Sequence, residues 1–594
     1  MLSKLALGSI RYSHISLVFV GLMWALPFLY YRHAHPLTTF YQEWGAALLG
    51  LCAMPLLVTK RYWQQPEIPR IVMLPIGLML IIVLQFALGK LAYFSHTLLT
   101  SLYLMWAALL IMLGHRLREE FGLPVLATVL AAFLLLGAEL NALAGILQYY
   151  RLNTFLNTLV AMKKEGGVYG NLAQPNHYAN YITLGLISLG LMRLRWQMRA
   201  WPVVVLAAPL LLVLVLSGSR SSWLYLLFMA AMSFLWQRRD KSYLPLLRYS
   251  VLLILGFGLM HFVVQIPWLA GPPDTMTTVE RLTSQVGGKS IRLHVWREAW
   301  LIFTQHPLLG AGFGQFGWQH FLLGPSLRNT IIQGIYNNAH NLVMQIAAEM
   351  GMAGLLVLFG TLALWMRQAC SASRSFYHWW GYGLLAVLGI HSLVEYPLWY
   401  AYFIGIAALT LGMLDNTTYR LELRGLGRLS VAAILLLGVL SLMQVWQGYR
   451  KLEGMRNMRP VSAVDENFFR AVNEGLVATH KQALLQPYAE VVMSNMIEVS
   501  ADHLAAKREL NGSVVRFLPT GPVAYREAYL MALSGEQAAA QLQIERSIWA
   551  FSNEFPGERE KLRSLAQKDP VHFAALLEFA LKKYEEYQLA VRTK

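Results

Sequence analysis

The chain has 594 residues, of which 56% are hydrophobic and only 14% are charged, and its formal net charge is +17. This composition excludes a soluble globular protein of this size, because soluble domains contain about 25% charged residues. The two cysteines, Cys52 and Cys370, provide neither a disulfide framework nor a metal cluster.

Apolar stretches with the length of a membrane helix recur along the chain. The N-terminal stretch MLSKLALGSIRYSH lacks a small-residue cleavage site, so we expect the first apolar segment to stay as an anchor. Hydropathy predicts about 13 membrane spans, near residues 14–31, 43–59, 71–89, 93–113, 123–149, 177–193, 201–217, 221–236, 249–268, 341–366, 379–394, 397–415 and 429–447.

Basic residues concentrate in alternate loops between these spans, beginning with Lys4 and Arg11. Because basic loops stay in the cytoplasm, this alternation predicts a cytoplasmic N-terminus and explains the net charge without a nucleic-acid partner. The opposite loops hold only Arg32, Lys90, Arg151, Lys163, Lys164 and Arg220.

The predicted topology places two large regions on the outer, periplasmic side. The fold class is therefore an α-helical polytopic membrane protein with a large outer loop and an outer helical tail. The predicted domains are N-terminal membrane helices (1–150), membrane helices with polar motifs (151–268), the periplasmic loop (269–340), C-terminal membrane helices (341–447) and the periplasmic helical domain (448–594).

The outer regions carry distinct local signals. In the loop, the stretches AGPPD and HPLLGAGFGQFGW predict turns with glycine at positive φ. In the tail, residues 519–557 read as a helix, a glycine turn, a helix and a proline stop, which resembles one tetratricopeptide-type hairpin.

Polar residues cluster at the predicted outer membrane face, where ionisable groups are costly and are therefore functional candidates. The clusters are YGNLAQPNHYANY (169–181), SGSRSSWLY (217–225), SIRLHVWREAW (290–300), the stretch IYNNAHNLVMQIAAEMG (335–351) and HSLVEYPLWY (391–400). Their candidate site residues are Gln174, Asn176, His177, Arg220, Arg292, Arg297, Asn338, His340, Gln345, Glu349 and Glu395.

Each candidate also has a purely structural interpretation. Arg220 would then extend to the membrane interface, and Arg292 would be a loop surface charge. His340 would cap the following helix or lie at the membrane interface, and Asn176 and His177 would cap the sixth span. Glu395 would shape a tight turn with Pro397, and Glu349, which lies well inside its helix, would position its neighbours.

Taken together, the arginines and the histidine suit an anion at the level of the lipid headgroups. Arginine binds phosphate oxygens in pairs and stays charged, and a nearby histidine can take up a proton at neutral pH. This set suits attack by a hydroxyl on a group linked to a lipid diphosphate. The sequence contains no Walker loop, no Rossmann fingerprint and no spacing that marks a metal site.

The motifs SGSRSSWL, HPLLGAGFGQF and AHNLVMQIAAEMGMAGLL resemble the O-antigen ligase and polymerase superfamily of bacterial inner-membrane enzymes. More narrowly, GNLAQPNHYANYI, HSLVEYPLWYAYF and the helical tail resemble bacterial protein O-oligosaccharyltransferases that glycosylate pilins. The resemblance runs from about Tyr169 to the C-terminus. It implies transfer of a preassembled glycan from undecaprenyl diphosphate to a serine or threonine hydroxyl in the periplasm, without a metal or another cofactor.

Carried over to this chain, the resemblance implies catalytic roles for His340, Arg220 and Arg292, with Arg297 as a competitor for Arg292. Asn338 occupies the polar position two residues before the histidine. Arg220 and Arg292 would neutralise the leaving diphosphate, and His340 would accept or orient the acceptor proton. The remaining candidates would bind substrate, and membrane lipids surround the enzyme.

Other functions are compatible with the same motifs. An O-antigen ligase would use the same donor and the lipid A core as acceptor, although such enzymes usually end soon after the last span. A glycan polymerase is a second enzymatic alternative. A transporter of polyprenyl-linked glycans is disfavoured, because the chain halves show no internal repeat and the polar groups gather at one face.

Overall fold

The fold is known from a computed structural model, which describes residues 12–33, 35, 37–152, 154–162, 167–267, 291–371, 374–421, 423–457, 474, 476–477, 480 and 483–593. Within these residues the chain is mostly helical, as the sequence predicts. The turn stretch AGPPD and Ser290 lie outside the described residues.

The helices before the outer loop are mostly long and apolar. They are α1 (Tyr12–Leu29), α2 (Phe40–Ala53), α3 (Lys60–Gln64), α4 (Met73–Ala87), α5 (Phe94–Tyr150), α6 (Pro175–Arg195), α7 (Ala200–Leu216), α8 (Ser221–Arg239) and α9 (Leu244–Val263).

The helices from the outer loop onward include the predicted tail helices. They are α10 (Ile291–Gln305), α11 (Phe316–Leu327), α12 (Leu342–Ser371), α13 (Phe376–Ser392), α14 (Ala401–Leu414), α15 (Arg424–Asn457), α16 (Gln486–Asn495), α17 (Leu504–Phe517), α18 (Gly521–Leu533), α19 (Gln537–Ala550), α20 (Phe555–Lys568) and α21 (Pro570–Arg592). Two short strands, β1 (Glu67–Pro69) and β2 (Thr418–Arg420), pair antiparallel, with Glu67 opposite Arg420.

Six helical stretches in the described part of the chain are long and apolar enough to cross a membrane, which agrees with a helical membrane protein. They are Tyr12–Leu29, Arg70–Ala87, Phe94–Tyr150, Lys241–Val263, Leu342–Ser371 and Gly425–Gly454. The helices Ala200–Leu216 and Ala401–Leu414 are apolar but shorter. The full set of spans stays a prediction.

Two of the long helices contain a glycine with non-helical backbone. In α5, Gly122 has φ 73° and ψ 151°, and it lies between the predicted spans 93–113 and 123–149. In α12, Gly351 has φ 63° and ψ −156°. Glycine adopts positive φ without a steric penalty, so these residues allow each helix to change direction.

The chain divides into two compact units, and the first comprises residues 1–76, 103–288 and 359–442. Its central helix is α6, in which every residue from His177 to Met192 is buried. Polar groups on this helix find partners inside the unit: Tyr178 Oη donates to Asn141 O at 2.9 Å and Tyr181 Oη donates to Trp24 O at 2.9 Å. A polar helix is thereby stable within an apolar bundle.

The second unit comprises residues 77–102, 289–358 and 443–594. In its tail, Gly535 has φ 82° between α18 and α19, where the sequence predicts a glycine turn between two helices. Pro556 does not end the hairpin as a stop, because it lies in the first turn of α20. Proline is tolerated there because the first-turn N–H groups have no helical partner.

Candidate functional site

The start of α12 places His340 outside the helix. Asn341 Oδ1 accepts hydrogen bonds from Val343 N at 3.0 Å and Met344 N at 3.1 Å, which is the pattern of an N-cap residue. The interpretation of His340 as the helix cap is therefore wrong. Its half-buried ring lies beside Tyr336, with the ring centroids 6.2 Å apart.

The backbone around His340 is held by side chains that the sequence analysis named. His340 has φ 50°, and its N–H donates to Asn338 Oδ1 at 2.8 Å. Ala339 N donates to Gln345 Oε1 at 2.6 Å. Asn338 and Gln345 are both buried, and their side-chain oxygens hold this turn. A left-handed backbone at a residue with a Cβ persists only when its surroundings fix it, which these contacts do.

Helix α10 is attached to the same turn. Trp296 Nε1 donates to Ala339 O at 3.0 Å. Arg292 precedes Trp296 by four residues, so both side chains lie on one face of α10. Arg292 is half-buried, whereas Arg297 lies on another face and is exposed. This arrangement favours Arg292 over Arg297 as the arginine on the side of α10 that meets the His340 turn.

Glu349 is buried within α12, and its carboxylate accepts a hydrogen bond from the backbone of another segment. Its Oε1 accepts from Phe316 N at 3.1 Å, at the start of α11. Gln85 Nε2 donates to Glu349 O at 2.7 Å, and Gln85 Oε1 accepts from Phe313 N at 3.0 Å. The sequence expectation that Glu349 positions its neighbours agrees with these contacts.

The glycine-rich stretch 306–318 pairs with the break in α12. Gly310, Gly312 and Gly314 have φ values of 69°, 123° and 74°, as the turn signals predict. Ala311 N donates to Ala348 O at 2.9 Å, and Met352 N donates to Pro307 O at 2.8 Å. The break at Gly351 leaves some backbone groups of α12 without a helical partner, and these hydrogen bonds supply partners for them.

His306 begins this stretch. Partial burial, and secondarily the nearby Lys90 ammonium, lower the pKa of His306. Its imidazole is therefore neutral at physiological pH and adds no positive charge for a diphosphate.

A buried hydrogen-bonded pair between α10 and α11 was not found from the sequence. His320 Nδ1 on α11 lies 2.5 Å from Glu298 Oε2 on α10, and both side chains are buried. His320 Nε2 lies 3.3 Å from Gly334 O. The pair therefore links the helix that carries Arg292 to the segment that leads to His340. No sequence spacing identifies it, since Glu298 belongs to the polar cluster 290–300 while His320 lies 22 residues further along the chain.

In the first unit, the serine-rich turn presents Arg220. Ser217, Ser219 and Ser222 are fully buried, and Ser217 Oγ donates to Leu214 O at 2.7 Å. Arg220 is the exposed member of the turn and immediately precedes α8. A helix N-terminus favours an anion, so the turn combines a cationic side chain with the positive end of the helix dipole.

Two further motifs meet in the first unit. Asn176 Nδ2 donates to Glu395 Oε1 at 2.8 Å, and Gln174, which is half-buried, occupies the N-cap position of α6 without a side-chain cap bond. Asn176 and His177 are therefore not the cap of α6. His177 is buried, and its ring packs edge-on against His391 at 5.2 Å.

Helix α8 joins this cluster through a residue that the sequence analysis did not single out. Tyr225 Oη lies 2.8 Å from His391 Nδ1, and both residues are fully buried. Tyr225 follows Arg220 by little more than one turn. Its contact connects the helix that follows Arg220 to the motif that contains Glu395, and only the tertiary fold reveals it.

Comparison with sequence families gives matches over three segments. A family described as "O-Antigen ligase" matches residues 203–359, which include Arg220, Arg292 and His340. A family described as "Protein glycosylation ligase" matches residues 168–191, and one described as "Virulence factor membrane-bound polymerase, C-terminal" matches residues 379–567.

Two curated proteins of Acinetobacter baylyi (strain ATCC 33305 / BD413 / ADP1) are similar over most of the chain. A "General O-oligosaccharyltransferase" is 26% identical over 463 residues, which cover 75% of this chain and 77% of the relative. A "ComP-specific O-oligosaccharyltransferase" is 22% identical over 372 residues, covering 62% of this chain and 65% of the relative.

Proposed function

We infer that this chain, which belongs to the O-antigen ligase superfamily, is an O-oligosaccharyltransferase that transfers a glycan to a protein acceptor. The finer proposal is that the donor is a preassembled glycan on undecaprenyl diphosphate. The acceptor is a serine or threonine hydroxyl of a pilin-like or other periplasmic protein.

The observation that carries this proposal is the position of two catalytic candidates, Arg220 and His340, at helix starts. Arg220 immediately precedes α8 and His340 lies two residues before α12, while Arg292 is a half-buried residue of α10. Helix N-termini attract phosphate groups through free N–H groups and the helix dipole, and arginine adds paired hydrogen bonds to phosphate oxygens. These positions suit a diphosphate leaving group.

The proposed reaction is a single displacement at the anomeric carbon of the glycan. The acceptor oxygen forms the new C–O bond while the bond to the diphosphate breaks, and the diphosphate leaves with the electron pair. Arg220 and Arg292 bind the diphosphate oxygens, and His340 accepts or orients the proton of the acceptor hydroxyl. Gln174, Asn176, His177 and Glu395 shape the substrate-binding region in the first unit.

The topology completes the proposal. We assign the protein to the bacterial inner membrane with about 13 spans, a cytoplasmic N-terminus, and the site residues and tail in the periplasm. The basic residues of alternate loops support this orientation. We further propose that the tail helices, including the tetratricopeptide-like α18–α19 hairpin, contact the acceptor protein.

The decisive experiment reconstitutes the purified full chain with an undecaprenyl-diphosphate glycan and a pilin acceptor. We expect a mass increase on the pilin equal to one glycan and an equal release of undecaprenyl diphosphate. Modification of lipid A core alone would indicate an O-antigen ligase, and a lengthened glycan on the lipid would indicate a polymerase. Either result would overturn the proposed acceptor.

A matched reaction with His340→Ala controls for spontaneous transfer. Parallel reactions with EDTA or with added magnesium test the proposal that the arginines replace a metal in the chemical step. Loss of transfer in EDTA that magnesium restores would contradict it.

A further inference from the structure

Three side chains that play no part in the proposed chemistry converge in the first unit, beside the strand pair of β1 and β2. Glu67 lies on β1, while His115 and Glu119 lie one turn apart on α5. His115 Nε2 is 3.7 Å from Glu67 Oε2 and 3.7 Å from Glu119 Oε1. The three ligand atoms all lie within 4.8 Å of one another.

The His115 imidazole is 7% exposed, and neither ring nitrogen has a hydrogen-bond partner among the described residues. The carboxylate oxygens that face Nε2 are too distant for hydrogen bonds, which place nitrogen and oxygen about 2.7–3.2 Å apart. A buried polar ring without partners destabilises a fold. Its Nε2 atom nevertheless faces two carboxylates that lie slightly beyond hydrogen-bonding distance.

Two arginines fix the orientation of those carboxylates. Arg420 Nη2 lies 3.2 Å from Glu67 Oε1, and Arg116 Nη1 lies 3.0 Å from Glu119 Oε2. Each carboxylate therefore has one oxygen bound to an arginine and the other turned toward His115. Side chains that bind the outer oxygens of metal-ligating carboxylates orient them in this way.

We propose that Glu67, His115 and Glu119 bind one zinc ion. Zinc binds imidazole nitrogen and carboxylate oxygen at about 2.0–2.2 Å, so two ligand atoms about 3.3–3.7 Å apart fit one ion. The two separations from His115 Nε2, 3.7 Å each, meet this requirement, and all three ligand atoms lie within 4.8 Å of one another. An imidazole in the set favours zinc over magnesium or calcium, which prefer oxygen ligands alone.

The charges of the neighbouring residues determine how tightly the site binds zinc. Arg116 and Arg420 offset the two carboxylates, and no thiolate contributes, so zinc binds here more weakly than at cysteine-rich structural sites. The ion joins β1 to α5 a short distance before the break at Gly122. Its role is to hold this strand pair against the helix, and it has no part in glycan transfer.

The test uses the full chain in detergent, with any affinity tag removed and bound metals stripped by EDTA that is then dialysed away. Zinc bound per chain is measured by mass spectrometry after equilibrium dialysis at several zinc concentrations. We expect about one zinc ion per chain at a three-ligand site, together with a rise in the unfolding temperature. His115→Asn and Glu119→Gln should abolish both effects.

Glu120→Gln is the matched control. Glu120 also bonds to Arg116 but does not face His115, so this variant should bind zinc as the wild type does. Cobalt(II) provides a readout that needs no variant, since tetrahedral coordination gives a visible absorption band that zinc displaces. Glu119→His, which supplies a different zinc ligand, should retain binding.

Failure of the wild type to bind zinc or cobalt would overturn the proposal, as would full binding by both His115→Asn and Glu119→Gln. An unfolding temperature that depends on pH through His115 but not on zinc would show instead that a charged imidazolium bridges the two carboxylates. A loss of binding in Glu120→Gln as large as in Glu119→Gln would also overturn the assignment.

Discussion

His340 combines a strained backbone with a side chain that the fold leaves out of helix capping. Its φ of 50° is unfavourable for a residue with a Cβ, and Asn338, Ala339 and Gln345 maintain the turn that contains it. Such strain at a residue of a proposed site fits a side chain held in one functional orientation.

We expect His340→Ala to abolish glycan transfer while membrane insertion and protein abundance stay normal. The neighbouring Asn341→Ala serves as the control, since loss of the cap costs about 1 kcal/mol of stability but removes no proposed catalytic group. Transfer is measured as glycan on the acceptor at matched protein levels. Near-normal product from a well-expressed His340→Ala would exclude the catalytic role.

The two arginines of α10 allow a second prediction at the residue scale. Arg292→Lys should lower transfer at least about tenfold, because a lysine cannot make the paired contact and a hydrogen bond to a charged group contributes about 1.5–3 kcal/mol. Arg297→Lys, on the other face of the helix, should change transfer little. The initial rate at several donor concentrations distinguishes the two variants. A larger effect at Arg297 would reverse the assignment.

At the scale of elements, the pair of Glu298 and His320 connects α10, α11 and the segment before α12. Removing one partner of a buried hydrogen bond leaves the other unsatisfied and typically costs about 1–3 kcal/mol. We expect His320→Ala to lower both the unfolding temperature and the transfer rate. The double variant Glu298→Gln with His320→Ala should recover part of each, because it leaves no buried acidic side chain without its partner.

A double-mutant cycle measures this coupling from the unfolding temperatures and transfer rates of the wild type, both single variants and the double variant. Additive effects would show that the two side chains act independently. Recovery of the unfolding temperature without recovery of transfer would assign the pair a direct role in positioning Arg292 or His340 beyond stability.

Signals that act over short sequence distances were predictable. Glycines of the stretch 306–318 have the positive φ that the turn signals predict, and polar motifs at predicted span ends lie at helix starts. The site residues Asn338, His340 and Gln345 are seven residues apart or fewer, so one turn brings them together.

Contacts between distant segments were not predictable from one sequence. Three such contacts depend on how distant segments pack: the strand pairing of Glu67 with Arg420, the hydrogen bond between Glu298 and His320, and the contact of Tyr225 with His391. Periodicity reports which face of a helix is buried but not what that face meets. The proposed zinc ligands were not predictable for the same reason, since Glu67 is remote in sequence from His115.

At the scale of the whole chain, the tail packs against α11 within the second unit. Phe321 of α11 is fully buried in one apolar cluster with Val514 and Val515 of α17, Val523 and Ala524 of α18, and Ala550 of α19. Gly334 N also donates to Ala550 O at 2.8 Å. Deletion of the tail would therefore expose the helix that carries His320, and it cannot separate acceptor binding from support of the site.

Point substitutions separate these two roles. Phe321→Ala removes a buried ring at a typical cost of about 3–5 kcal/mol and should lower transfer equally to a pilin, a short peptide and water. Leu542→Asp and Val571→Asp change tail side chains that are 44% and 84% exposed, so they should leave the unfolding temperature and transfer to the peptide unchanged. If the tail binds the acceptor through this surface, they should lower transfer to the pilin alone.

One donor preparation and matched protein levels make the three acceptors comparable. Unchanged pilin modification in both surface variants would show that these side chains do not contact the acceptor. If Phe321→Ala lowers transfer to the pilin alone, the shared core serves acceptor binding and not the active site.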